Sequence, residues 1–211
     1  IALKSYFYDI KKYETLLDRF YLPDKKMLDY INSDKLTKIA EVLPPGSDDI
    51  PIISDKIENR DFSTNPLHIF YVGGINNYYK MEKFVAAVAK TDNCILTICC
   101  RENEWSKEKH NYEQYLNDHI RIIHKNSDEL EPYYQQSDIC SLMFERDEYR
   151  DFMMPYKAFE YLAYELPVIS TKGTAISRFV EENNTGWTLP YNVEDICFLL
   201  EEIIKKPQML I

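Results

Sequence analysis

The sequence predicts an α/β fold: a parallel sheet with helices on both faces. Three observations carry this. From residue 67 onward, six short apolar runs alternate with stretches of helical spacing, as in repeated βαβ units. The runs are mostly apolar rather than strictly alternating, as expected for strands covered on both sides. And 211 residues with 45% hydrophobic content supply one large or two small domains with a real core.

Taken in order, the first strand is 67–72, stopped by Gly73-Gly74. A helix over 81–90 follows, with Phe84, Val85 and Val88 on one side. A buried strand spans 94–100, a polar helix 102–117, a strand 119–123, a short helix 128–136 and a strand 138–144. A helix opening at Pro155 then leads to a strand over 167–171. A helix over 174–183, a short strand over 187–189 and a helix over 193–206 complete the series. Residues 1–66 differ: a helix over 1–18 with tyrosines on one side, a strand at 19–22, a helix from Pro23-Asp24 to about Ile31 and an extended run over 38–43. The stretch 47–66 has no clear period and is acid-rich over 49–61. The expected division is therefore 1–66, the tail of a preceding α/β unit plus a linker, and 67–211, a Rossmann-like parallel-sheet domain.

A net charge of −10 argues against nucleic acid as a partner and gives no attraction to an anionic membrane surface. The longest apolar runs, such as 196–200, are far too short to span a bilayer, and the start, Ile1-Ala2-Leu3-Lys4, is not a signal peptide. Lacking an initial methionine, the chain reads as part of something longer. Five cysteines (Cys94, Cys99, Cys100, Cys140, Cys197) without a CxxC pattern read as reduced core thiols in a reducing, cytoplasmic setting. The four histidines, His68, His110, His119 and His124, have no metal-ligand spacing, and no nucleophile or P-loop motif occurs.

Residues 154–171 are the most informative stretch. Lys157 and Glu160 lie three apart, on one helix face near its N-terminus. Free N–H groups there, with a lysine charge added, suit a phosphate, and a glutamate one turn on suits sugar hydroxyls. The same pair also fits a surface salt bridge. Phe159, Leu162, Ala163 and Leu166 form the expected core face of that helix. Gly73-Gly74 would let backbone approach a ligand, and equally fits a plain turn. Arg101, just past a strand end, could meet a phosphate or pair with Glu102 or Glu104. The acids of 145–151 could hold a cation, but their mixed signs favour a solvated loop.

The Gly pair, the Pro-x-Lys-x-x-Glu-Tyr-Leu-Ala helix before Pro-Val-Ile, and the Gly186 turn together resemble the C-terminal domain of GT-B glycosyltransferases of group 1, a Rossmann-like fold. The resemblance covers roughly residues 21–211. It implies a nucleotide diphosphate sugar as donor substrate, no cofactor or metal, and a saccharide, lipid-linked or other hydroxyl acceptor, in polysaccharide biosynthesis. It implies a cytoplasmic place, with peripheral attachment at the inner membrane face through the N-terminal domain. By resemblance Glu160 holds the donor ribose; Lys157, Pro155 and Tyr156 face the diphosphate; Gly73 and Gly74 admit the donor; His124 flanks the base; Thr171 points into the cleft. No catalytic residue is assigned, and the fragment alone is expected to turn over little. The chain departs from the family pattern in places. Phe152 stands eight before Glu160, where many members have a second glutamate; Gly74 replaces an arginine; Glu165 replaces a glycine. A nucleotide-binding module without transfer and a sugar-nucleotide epimerase are the alternatives.

Overall fold

The structure, a computed structural model, describes residues 2–31, 33–48 and 60–210, without the side chains of 2–5. The acid-rich stretch expected over 49–61 lies outside the described residues but for its last two. Two sheets are present. A two-stranded parallel sheet pairs β1 (Phe20–Leu22) with β2 (Ala40–Val42). It is preceded by helix α1 (Ala2–Leu16). Between the strands run a 3₁₀ turn over Lys25–Tyr30, where an α-helix was expected, and helix α2 (Asp34–Lys38), which the sequence reading passed over. Ser33 caps α2, its Oγ accepting from the Leu36 amide at 3.0 Å.

The main sheet has six strands: β3 (Leu67–Val72), β4 (Cys94–Cys99), β5 (Ile120–Ile123), β6 (Ile139–Leu142), β7 (Val168–Thr171) and β8 (Gly186–Leu189). All neighbours are parallel, in the order β5-β4-β3-β6-β7-β8. The chain therefore steps outward from β3 in one direction and resumes at β6 on its other side. Between β3 and β6 lies the topological switch point, where parallel α/β sheets open a crevice beyond their carboxyl edge. The helices are α3 (Glu82–Lys90), α4 (Glu102–Glu108), α5 (Glu131–Gln136), α6 (Tyr156–Ala163), α7 (Ala175–Asn183) and α8 (Val193–Lys205). Right-handed crossovers send those on either side of the switch to opposite faces.

The strands run apolar because both faces are covered: Leu67, Ile69, Phe70, Leu96, Ile139, Leu142, Val168 and Ile169 are fully buried. Four cysteines lie buried among them and Cys197 is half-buried, all as free thiols. Burial raises the thiols of Cys99 and Cys100, the latter to about 12, so neither is a ready nucleophile. Phe62 is buried in the same core, and Arg60 pairs with the nearly buried Asp138, whose other oxygen accepts from the His68 amide at 2.9 Å.

Helical stretches came out shorter than their spacing suggested. The polar segment 102–117 holds only α4, followed by two 3₁₀ turns, and 128–136 divides into a 3₁₀ turn and α5. Helix α6 buries a wider face than expected: Leu166, just past its end, is buried and Phe159 and Leu162 pack against the core as expected, but the deepest positions lie elsewhere. Ala158 and Tyr161 are its buried residues, while Phe159, Leu162 and Ala163 are half-buried. The Tyr161 hydroxyl sets this rotation by accepting from the Val72 amide at 3.1 Å, tying α6 to the end of β3. Lys157 lies one turn before Tyr161 on that inward face.

Candidate functional site

The carboxyl ends of β3 and β6 frame the site. After Val72 the backbone turns through Gly73 at φ +149°, a conformation that favours glycine. A Cβ there would strike the Lys157 Nζ and come within 2.9 Å of the Tyr71 hydroxyl. Lys157 thus rises from the first turn of α6 to sit directly behind the glycine loop. Its Nζ donates to the Tyr71 hydroxyl at 3.0 Å and lies 4.2, 5.1 and 5.4 Å from the ring centres of Tyr71, Tyr79 and Phe144. These rings attract the cation. They also strip it of water, and with the nearby Arg150 this lowers the lysine to about 7, against a smaller pull from Glu160.

Pro155 begins α6 with extended backbone, and no side chain caps the helix. Its leading N–H groups and partial positive charge face the same end of the sheet. Tyr156 is largely exposed. Glu160 is half-buried; burial raises its carboxyl, opposed by a hydrogen bond with Tyr134 and by Lys157. The pair expected on one helix face is therefore in electrostatic contact without forming a direct salt bridge among the described residues.

Gly73, Gly74 and Arg101 line one cleft of about 470 Å³, together with Asn76, Tyr79, Glu104, Lys125 and Ser127. Glu104 holds the loop by accepting from the Ile75 amide at 3.2 Å, and the Tyr71 hydroxyl donates to the Gly74 carbonyl at 2.6 Å. Arg101 precedes α4 and is exposed, with no ion pair among the described residues. Of the turn after β5, Lys125 lines the cleft. His124 does not: its exposed ring has Nδ1 2.8 Å from the Cys100 carbonyl. Thr171 is placed differently from the expectation. It is buried, its hydroxyl donating to the Phe144 carbonyl at 2.7 Å and accepting from the Phe144 amide at 3.1 Å. It staples β7 to the end of β6 instead of facing the cleft, because a buried hydroxyl takes the backbone partners within reach.

The loop after β6 is ion-paired. Glu145 meets Lys80 at 2.8 Å, Asp147 meets Arg150, and Asp151 takes Arg146 at 2.6 Å. Arg146 holds the Asp151 carboxyl below its usual range. The acid nearest the position eight before Glu160 is thus engaged, and Phe152 at that position packs its ring, tilted, against Tyr30 with centres 4.5 Å apart. Sequence reasoning missed the Tyr71, Tyr79 and Phe144 cage and Arg150. Tyr71 and Phe144 read as strand core, and only their place at strand ends flanking the crevice hinted otherwise.

The model of a family described as glycosyl transferases group 1 matches residues 66–206. No curated relative matches the chain. Among solved structures, HepE from Anabaena in complex with UDP and glucose superposes with TM-score 0.73 at 12% identity over 96% of this chain and 57% of that one. Sucrose-phosphate synthase from Thermosynechococcus elongatus gives 0.70 at 16% identity, covering 95% and 53%. The lipopolysaccharide outer core galactosyltransferase WaaB gives 0.68 at 15% identity, covering 92% and 54%. The chain spans a little over half the length of these three structures, and at these identities the likeness is one of fold, a GT-B half with its sheet and its crevice. With the family match covering the whole main sheet, this chain belongs to the group 1 glycosyltransferases.

Proposed function

We propose that the chain is the donor-binding half of a GT-B glycosyltransferase, taking a nucleotide diphosphate sugar as donor and passing its sugar to an acceptor hydroxyl. The observation that carries this is the position of Lys157, with its ammonium behind Gly73 at the switch point and at the open end of α6. A diphosphate laid across Gly73-Gly74 meets that ammonium, the uncapped N–H groups of α6 and the helix dipole together. The nucleoside extends into the cleft lined by Arg101 and Lys125, and Glu160 takes the ribose hydroxyls. The chemistry needs charge stabilised on the leaving diphosphate, which a preorganised cation in an aromatic, water-poor cage provides. No cofactor beyond the donor enters this reading. The acceptor, a saccharide, a lipid-linked sugar or another hydroxyl, would be held mainly by a domain preceding this one, so the chain alone binds donor and turns over little. Free thiols fit a cytoplasmic enzyme, and no helix among the described residues is long and apolar enough to cross a membrane.

Phe152, in place of an acid that many family members direct at the donor sugar, favours a second reading: a nucleotide-binding module without transfer. Calorimetric titration with UDP, GDP and ADP, beside a Glu160→Ala variant, tests the donor site. Saturable binding of one diphosphate, lost in the variant, supports it; a folded chain that binds none of them counts against it. Sugar release by the full-length enzyme then separates transfer from binding alone.

A further inference from the structure

Arg150 belongs to no element of the site as the sequence describes it, yet only 4% of it is exposed. Its guanidinium lies 5.3 Å from the Phe144 ring centre and 5.7 Å from that of Tyr79, two of the three rings that enclose Lys157. Two cations therefore share one aromatic cage. Its Nη1 meets Asp147, but its Nε is buried with no hydrogen-bond partner among the described residues. A buried guanidinium with an unmet N–H beside a second cation is an unfavourable arrangement. The carboxylate that bonds it, on Asp147, is half in water, where an ion pair is weak and readily exchanged, and Glu145, the other acid that feels its charge, is already paired with Lys80 at 2.8 Å. Glu160 faces Lys157 from the next turn of α6 and is itself occupied by Tyr134. The surplus positive charge and the unmet N–H both point to an anion as the missing partner.

We infer that Arg150 is a second cation for the donor's diphosphate, working beside Lys157 and held by Asp147 until the anion arrives; this rests on the donor-binding reading above. The placement also assigns the phosphate. Arg150 lines an aromatic cavity of about 540 Å³ with Asn76, Tyr79, Tyr149 and Met153, whereas Gly73 and Gly74 line the neighbouring cleft. Asn76 and Tyr79 form the wall between the two. With the nucleoside in the glycine cleft, Arg150 meets the phosphate farther from it, the one that bears the sugar. A guanidinium fork suits two oxygens of that group.

The test is calorimetric titration of the 211-residue chain with UDP, GDP and ADP, each beside its monophosphate. It uses the unaltered protein, Arg150→Gln, Arg150→Lys and Asp147→Asn, each checked for folding by its thermal transition. Arg150→Gln should weaken the diphosphate by about 10- to 100-fold, the loss of one or two charge-assisted hydrogen bonds, and the monophosphate by less than about threefold. Arg150→Lys should recover part of the loss. Asp147→Asn, which frees the guanidinium, should leave diphosphate affinity equal or tighter. An unchanged ratio of diphosphate to monophosphate affinity in Arg150→Gln overturns the inference, as does Asp147→Asn weakening the diphosphate as much, since a structural ion pair behaves that way. Should Arg150→Gln not fold, Arg150→Lys and Asp147→Asn decide by the same ratio. Failure of the unaltered protein to bind any diphosphate removes the donor reading itself and this inference with it.

Discussion

Diphosphate binding should take up a proton, and the reason lies in the cage around Lys157. Burial among Tyr71, Tyr79 and Phe144, with Arg150 nearby and Glu160 only partly compensating, holds the empty-site lysine at about 7. A diphosphate against the ammonium restores the charged form, returning the group to its ordinary value near 10.5 or above. At pH 7 binding then draws in about 0.5 proton per site, rising to about 0.9 at pH 8. Affinity should fall about 50-fold between pH 7 and pH 9. The ligand's terminal phosphate ionises near about pH 6 and so contributes little over that range. Titration in buffers of differing ionisation enthalpy counts the proton directly. Lys157→Met should abolish both the uptake and the slope. The apo protein gives an independent check of sign. A lysine lowered in the fold leaves the unfolded chain holding more protons between about pH 7 and 10.5, so stability should rise with pH across that window. Below it the penalty is full, and Lys157→Met should raise the thermal midpoint by at least about 2 °C there. Diphosphate binding that is independent of pH between 7 and 9, with no proton uptake, would refute the cage argument.

Three further outcomes follow from separate parts of the structure. Gly73→Ala puts a Cβ against Lys157 Nζ and the Tyr71 hydroxyl in a strained backbone; calorimetry should show diphosphate affinity falling at least about tenfold while the fold survives, since the nearest atom is the end of a flexible side chain. Glu165 sits at φ 55° just past α6, where the amides of Leu166 and Glu165 return to the carbonyls of Tyr161 and Leu162. Glu165→Gly should therefore stabilise the protein by about 0.5–1 kcal/mol in urea titration, glycine being favoured in that helix-ending turn. Arg178 donates to both oxygens of Asp24 at 2.9 and 3.0 Å and to the Asp151 carbonyl at 2.7 Å, fastening the β1–β2 segment to α7. Arg178→Ala should raise hydrogen exchange across residues 20–42 and leave β3–β7 protected.

The sheet was readable because its signal is dense. Strands buried on both faces must be mostly apolar along their length, and residues 67–72, 94–99, 139–142 and 168–171 each announce themselves so, with only His68, Thr97, Ser141, Ser170 and Thr171 as polar exceptions. The helix of Lys157 and Glu160 was readable because a proline opens it and Pro-Val-Ile follows. What could not be read was rotation. Counting apolar spacing found Phe159, Leu162 and Leu166, which do pack on the core, but missed that the bond from the Val72 amide to the Tyr161 hydroxyl turns Ala158, Tyr161 and Lys157 deepest. The same limit hid Arg150, since an arginine in a charged loop gives no sign in sequence that Phe144 and Tyr79 cover it. Thr171 ends a strand beside the crevice, yet its hydroxyl was taken by Phe144, a partner 27 residues away that only the fold brings near.

The most direct test of the central claim is a crystal structure of this chain with the nucleoside diphosphate it binds. A phosphate is expected against Lys157 Nζ and the first turn of α6, over Gly73-Gly74 at the β3–β6 switch point. A diphosphate seated anywhere else, with Lys157 still bonded only to Tyr71, would contradict it.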